Sequence, residues 1–144
     1  MASDRLYKAI LKENDISKII LNACIKVHKE LGPGLLESAY EACLEYEMKK
    51  EGLDVRRQVS LPLQYNDVFI DCAYIADMII NDLVIVEIKA VKKLDDIHMA
   101  QILSYLRISR LRLGLLVNFN ETTLIKGYKR VVNGLENNEC EESF

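Results

Sequence analysis

The stretch from residue 74 to residue 90 is the most apolar part of this chain, yet it carries the charged side chains of Asp77, Glu87 and Lys89. Glu87 lies within the apolar run VIVEI at residues 84–88, which predicts a strand that is buried on both faces. Charges in such a place are costly unless they are paired, hydrogen-bonded or bound to a metal. The sequence therefore predicts a functional site at one edge of a hairpin.

The three charged residues suggest a particular chemistry. Two carboxylates on neighbouring strands can hold Mg²⁺ or Mn²⁺ through oxygen ligands, with room left for water and phosphate. Glu87 and Lys89 are two residues apart, so they share a face of the strand. From there Lys89 can orient an attacking water or offset negative charge on the phosphate. The alternative is a buried ion pair or a set of exposed strand charges.

The spacing of Asp77 and Glu87 makes a demand on the hairpin. Asn81-Asp82 is typical of a turn. A strict two-residue turn there would pair Asp77 with Val86 and put Asp77 on the face away from Glu87. We therefore predict that the loop holds an odd number of residues or that one strand contains a bulge.

Length and composition limit the class of protein. The 144 residues predict one domain over residues 1–132, followed by an acidic, flexible tail at residues 133–144. The net charge of -3 disfavours a strong general nucleic-acid binder. The four cysteines form no CxxC motif, and the chain has neither a secretory segment nor an apolar run long enough to span a membrane, so we expect a cytoplasmic protein without membrane contact.

Apolar periodicity predicts the order α-α-β-β-β-α-β, with a further edge strand at residues 127–132. The predicted helices cover residues 15–31, 35–51 and 97–109, and the predicted strands cover residues 55–65, 68–80, 83–90 and 111–119. The helix between the last two of these strands suits a parallel crossover. The expected class is α/β, with a mixed sheet flanked by helices.

Further polar residues are candidates for the site. Gln101 and Tyr105 are four residues apart and share a helix face, where they could contact water, a base edge or a phosphate, or form an ordinary surface pair. Glu37 stands near a helix N-terminus, where the dipole alone would explain it. We expect nucleic-acid contacts from a set of cations on and around the Gln101 helix, namely Lys92, Lys93, Arg107, Arg110 and Arg112.

Gly34, Glu37 and Tyr40 form a GxxExxY pattern that resembles the signature of the GxxExxY protein family, a branch of the PD-(D/E)xK nuclease-like superfamily. The resemblance covers about residues 15–133. It rests on sequence blocks in the same order, LGPGLLESAYEACLEYE, Ala76-Asp77, IVEIKAV, HMAQILSYL and LRLGLLVNF. Ala76 stands where the superfamily name has Pro.

The resemblance implies a restriction-endonuclease-like core and a role for each candidate. Asp77 and Glu87 would be metal ligands, Lys89 would be the catalytic lysine, and Glu37 would be an additional acid at the site. Gln101 and Tyr105 would correspond to the QxxxY motif of the RecB-type nucleases.

Three functions are consistent with these features. The first is an Mg²⁺-dependent nuclease that hydrolyses phosphodiester bonds in DNA. The second is a catalytically silent nuclease-like protein that binds or regulates in DNA repair or defence. The third is a homodimer that acts on branched DNA, by analogy with junction resolvases.

Overall fold

Three α-helices, a short 3₁₀-helix and five β-strands make up the part of the chain that the computed structural model describes, residues 12–135 without the side chains of residues 72 and 73. In chain order they are α1 (Glu13–Leu31), α2 (Glu37–Lys50), β1 (Val55–Tyr65), β2 (Val68–Ile80), β3 (Val84–Lys89), α3 (Asp96–Ser109), β4 (Leu113–Asn118), the 3₁₀-helix (Leu124–Gly127) and β5 (Tyr128–Val132). The order agrees with the prediction except for the 3₁₀-helix, which was not predicted.

The strands form one mixed sheet in the order β1-β2-β3-β4-β5. Strands β3 and β4 are parallel, and the other neighbours are antiparallel. Helix α3 makes the crossover between the two parallel strands, as the sequence predicts. The predicted α/β class with a restriction-endonuclease-like core is confirmed.

The sheet lies between two apolar layers. Helices α1 and α2 cover one face, where Ile20 and Leu44 pack against Val86 and Ile88 in a single buried cluster. Helix α3 covers the other face with Ile102 and Leu106, which pack against Ile85 and Leu116. Strand β3 is buried by both layers, which explains its continuous apolar sequence.

Helix α3 sits unusually close to β4 because position 114 is a glycine. A Cβ atom added to Gly114 would lie 2.8 Å from Cδ1 of Ile102 and 3.3 Å from Cδ1 of Leu106. Ile102 is fully buried, so its side chain has little freedom to move away. The absence of a side chain at Gly114 therefore leaves the space that Ile102 fills.

The loop between α1 and α2 is closed by the hydroxyl of Tyr40. This hydroxyl donates to the carbonyl oxygen of Gly32 at 2.7 Å and accepts the N–H of Leu35 at 3.0 Å. The Tyr40 ring is fully buried and stacks on Phe119 with 4.5 Å between ring centroids. Gly34 has a φ of +100°, which favours glycine. The first and last residues of the GxxExxY pattern thus shape this loop.

The loop of the hairpin between β2 and β3 has an odd number of residues, which puts Asp77 and Glu87 on the same face of the sheet. Met78 pairs with Val86 and Ile80 pairs with Val84, so the loop holds three residues, 81–83. The prediction of an odd loop is confirmed. The same register, continued by one residue, sets Asp77 opposite Glu87.

Leu135 is the last residue that the structure describes. Leu135 is buried in the cluster under α1 and α2. The remainder of the predicted acidic tail, residues 136–144, lies outside the described residues. None of the described helices is long and apolar enough to cross a membrane.

We expect Tyr40→Phe to lower the free energy of unfolding by about 1 kcal/mol, because the loop loses the hydroxyl that bridges Gly32 and Leu35. Urea denaturation measures this change. The matched control is Tyr46→Phe, since the Tyr46 side chain is 63% exposed and its loss of a hydroxyl should leave stability unchanged. Equal stability of the two variants would contradict a structural role for the Tyr40 hydroxyl.

Candidate functional site

Asp77 and Glu87 meet where β2 and β3 separate. Backbone pairing of the two strands ends at Met78 and Val86. Beyond it, carboxylates replace the sheet ladder: the N–H of Asp77 donates to Oε1 of Glu87 at 3.0 Å, and the N–H of Ile88 donates to Oδ2 of Asp77 at 2.9 Å. Each carboxylate is therefore fixed by the backbone of the opposite strand.

The carboxyl group of Glu87 is held in a strongly unfavourable environment for a negative charge. Glu87 is only 3% exposed to solvent. Burial, the negative charge of Asp77 and a hydrogen bond with the Asp77 side chain raise the pKa of Glu87 to about 9, against smaller lowering effects of the Asp77 N–H and the Lys89 charge. A buried carboxylate beside a second carboxylate lacks a compensating charge.

This arrangement fits a divalent cation. Such a cation would supply the positive charge that the buried pair lacks, and carboxylate oxygens are the ligands that Mg²⁺ prefers. Within residues 12–135 no three His, Cys, Asp or Glu side chains form a group suited to a metal. Asp77 and Glu87 would therefore be the protein ligands, a number that is usual for Mg²⁺ sites completed by water and substrate phosphate.

Lys89 follows Glu87 on the same face of β3 and is held by α3. Its Nζ donates to Oε1 of Gln101 at 3.1 Å, and Nε2 of Gln101 donates to the hydroxyl oxygen of Tyr105 at 3.1 Å. The predicted proximity of Gln101 and Tyr105 thus extends into a chain of three side chains that ends at the lysine. This chain orients the ammonium without neutralising it.

Tyr105 stays protonated at neutral pH. Burial is the main cause of the raised pKa of its hydroxyl, and the negative charges of Glu87 and Asp77 act in the same direction. Because Gln101 uses the hydroxyl oxygen as an acceptor, the hydroxyl hydrogen of Tyr105 remains a donor.

Among residues 12–135, Glu37 does not join Asp77 and Glu87 in a group of three acids suited to a metal. Glu37 is exposed in the first turn of α2, and it makes no hydrogen bond or ion pair with any other described residue. Glu41, one turn later, is buried instead. It accepts from Nε of Arg57 at 2.9 Å and, through both oxygens, from Nε2 of Gln58 at 3.2 Å.

Gln58 connects Glu41 to the carboxylate pair. The same Nε2 atom of Gln58 lies 3.5 Å from Oδ1 of Asp77, a weak contact. Gln58 has a φ of +52°, in the left-handed region that side chains other than glycine rarely occupy. Residues 57 and 59 both pair with β2, whereas Gln58 and Asp77 face one another without pairing. Such strain is typical of functional positions.

Sequence reasoning missed Glu41 and Gln58. The helical spacing of Glu41 with Glu37 and Leu44 gave a signal that Glu41 lies toward the sheet. Gln58 gave no signal, because left-handed backbone at a glutamine is not readable from a strand pattern.

The five predicted nucleic-acid contacts fall into two groups. Lys92 and Lys93 line a cavity of about 730 Å³ just beyond the end of β3, close to Lys89. Three arginines lie toward the other end of α3 and the start of β4, namely Arg107, Arg110 and Arg112. Arg112 forms an ion pair with buried Glu13 at 2.7 Å. The structure therefore separates the two lysines after β3 from the three arginines at the far end of α3 and the start of β4.

Asn118 fixes the segment that carries these lysines. Its side chain is fully buried, and it accepts the N–H of Val91 at 3.0 Å and donates to the carbonyl oxygen of Val91 at 2.9 Å. It thus acts like a neighbouring strand for Val91. A polar asparagine at the end of the apolar run LGLLVN indicates a buried hydrogen-bonding role, and the sequence prediction did not use this signal.

We expect the metal-free protein to lose stability as pH rises, because Glu87 must give up its proton in a buried place. The folded-state pKa of about 9 lies above the unfolded value of 4.5, so the folded chain holds one more proton between these limits. In that window the free energy of unfolding should fall by about 1.4 kcal/mol per pH unit from this group. Denaturation in EDTA at several pH values measures the slope.

The control for this measurement is Glu87→Gln, which keeps the shape of the side chain and removes its titration. We expect a shallower pH dependence for this variant. An equal pH dependence of stability for the two proteins would show that the pKa of Glu87 is not raised.

The chain was compared with known proteins. The family model of the PD-(D/E)XK nuclease superfamily matches residues 14–131. Searches of curated proteins and of solved structures returned no significant match. The matched segment contains Asp77, Glu87 and Lys89. It also covers all five strands of the sheet except Val132, the last residue of β5. The chain belongs to the PD-(D/E)XK nuclease superfamily.

Proposed function

We propose that this protein is a nuclease that hydrolyses phosphodiester bonds in DNA with Mg²⁺ or Mn²⁺ held by Asp77 and Glu87. One observation carries the proposal: two carboxylates from separate strands converge in a buried place, each fixed by the opposite backbone, with Lys89 beside them. Membership in the superfamily supports nuclease-like chemistry.

The side chains divide the work between them. When bound, the cation supplies Lewis-acid polarisation of the phosphate and acidifies a water. Asp77 and Glu87 hold their oxygens in place through backbone N–H groups, so no side-chain rearrangement is needed. Lys89, oriented by Gln101, puts a positive charge beside the phosphate. Lys92 and Lys93 hold the DNA backbone next to it.

We further propose that the protein is a member of the GxxExxY branch. Gly34 and Tyr40 support this, because their backbone conformation and hydrogen bonds give the pattern a structural reason. Glu37 lies in the first turn of α2, where the helix dipole favours an acid, and it remains a predicted additional acid. A cytoplasmic location and a homodimer likewise stay predictions.

We expect Asp77→Asn and Lys89→Gln each to reduce DNA cleavage in Mg²⁺ or Mn²⁺ by about 10²–10³-fold or more, because each removes charge that acts on the reacting phosphate. The matched control is Asp67→Asn, which removes an exposed carboxylate in the β1–β2 turn and should leave the rate unchanged. Cleavage rates on plasmid and linear DNA measure the effect.

Two results would count against this proposal. Cleavage that survives Asp77→Asn and Lys89→Gln would come from another site or another protein. A folded wild-type chain that neither cleaves DNA nor binds Mg²⁺ or Mn²⁺ would instead be a silent nuclease-like binding protein.

We expect binding of Mn²⁺ at pH 7 to release about one proton, because Glu87 is protonated in the metal-free protein and must ionise to act as a ligand. Titration calorimetry in two buffers of different ionisation enthalpy measures the number of protons released. Glu87→Gln should release none. Metal binding by the wild type without proton release would contradict the assignment of Glu87 as the ligand.

A further inference from the structure

A cavity that reaches Lys89 offers a surface that the chemistry above does not use. It has a volume of about 420 Å³ and opens between β2 and α3. This volume lies in the usual range for sites that take small molecules, about 300–1,000 Å³. Lys89 forms part of its wall, together with Tyr74, Ile97, Gln101, Ser104 and Tyr105. A ligand in this cavity would therefore touch the lysine of the proposed active site.

Two tyrosine rings dominate the cavity wall. The ring centroids of Tyr74 and Tyr105 are 5.5 Å apart, with 53° between the planes. Tyr105 is 6% exposed and belongs to the core under α3, whereas Tyr74 is 38% exposed. Tyr74 lies on the part of β2 that has already separated from β3, since that pairing covers only residues 78–80 of β2. One ring is fixed by the core, and the other is left facing solvent.

The rim of the cavity combines apolar surface with unused polar groups. Ile97 is largely exposed at the start of α3 and adds an apolar contact. The hydroxyls of Tyr74 and Ser104 make no hydrogen bond with any described residue, and the hydroxyl hydrogen of Tyr105 is still available as a donor. A suitable ligand would be a flat ring with apolar faces and hydrogen-bonding edges, which describes a nucleobase.

A neighbouring cavity carries the cations Lys92 and Lys93, and the carboxylates of Asp95 and Glu121 line it as well. His98 lines both this cavity and the one that carries Lys92 and Lys93, so the two spaces adjoin. A strand of nucleic acid could thus place one base against Tyr74 while its phosphates follow Lys89, Lys92 and Lys93. Inside a duplex both faces of each base are covered by its neighbours, so an internal base must leave the stack to reach the rings.

We infer that the Tyr74–Tyr105 cavity holds one unpaired base next to the scissile phosphate, and that the substrate is therefore single-stranded DNA or a frayed end rather than an intact duplex. The inference rests on the proposed nuclease function for the position of the phosphate. The cavity, the ring pair and the adjoining lysines support the base site independently of hydrolysis.

Binding in EDTA tests the base site without cleavage. The probes are a single-stranded oligodeoxynucleotide that contains 2-aminopurine and a blunt duplex of the same sequence, each titrated with the full chain. We expect Tyr74→Ala to weaken single-strand binding by about 5- to 160-fold, the range for loss of one base–aromatic stack, and to leave duplex binding unchanged. Tyr74→Phe should keep most of the affinity, because stacking needs the ring.

The control variant is Tyr46→Ala, which removes an exposed tyrosine on α2, the layer opposite α3. It should bind both probes as the wild type does. If Tyr74→Ala proves to be unfolded by circular dichroism, Tyr74→Leu keeps the apolar volume without the ring and takes its place. Unchanged single-strand binding, or an equal loss for single strand and duplex, would overturn the inference.

The outcomes separate this inference from the proposed function. Tyr74-dependent single-strand binding in a protein that never cleaves DNA would support the base site and remove the nuclease. Cleavage that depends on Asp77 but proceeds equally on single strand and blunt duplex, with no effect of Tyr74→Ala, would support the nuclease and remove the base site.

Discussion

Two carboxyl groups brought together at a buried strand are the constraint around which this molecule is arranged. Glu87 lies in a strand that two layers bury, and Asp77 stands directly across from it. The sheet accommodates the pair by ending the β2–β3 ladder there and letting the carboxylates accept the backbone N–H groups that the ladder leaves. Hydrogen bonds offset part of the cost of burial, and the raised pKa of Glu87 keeps that carboxyl group protonated until a cation binds.

Much of this could be predicted from the sequence, because the main signals are local. The apolar sequence around Glu87 predicts that strand β3 is buried. The spacing of Asp77 and Glu87 requires an odd loop or a bulge if the two carboxylates are to meet. Gln101 and Tyr105 follow from helical spacing. These features depend on the spacing of residues along a helix or strand, which can be read from one sequence.

The remaining features depend on how distant segments meet. The hydrogen bond between Glu41 and Gln58 requires α2 to lie across β1 and Gln58 to adopt left-handed backbone. Residue periodicity predicts neither of these. The five cations appeared as one group along the chain. The parallel register of β3 and β4 sends Arg112 to the end of β3 away from Lys89. Closeness in sequence is a poor guide across a crossover, because the chain reverses direction in its helix.

Gly114 has a consequence that reaches beyond packing. Helix α3 carries Gln101 and Tyr105, and its residue Ile102 packs against the bare backbone at Gly114. A Cβ atom there would lie 2.8 Å from Cδ1 of Ile102, so a substitution would press on the helix that holds the amide partner of Lys89. A mutational screen confined to polar positions would overlook Gly114.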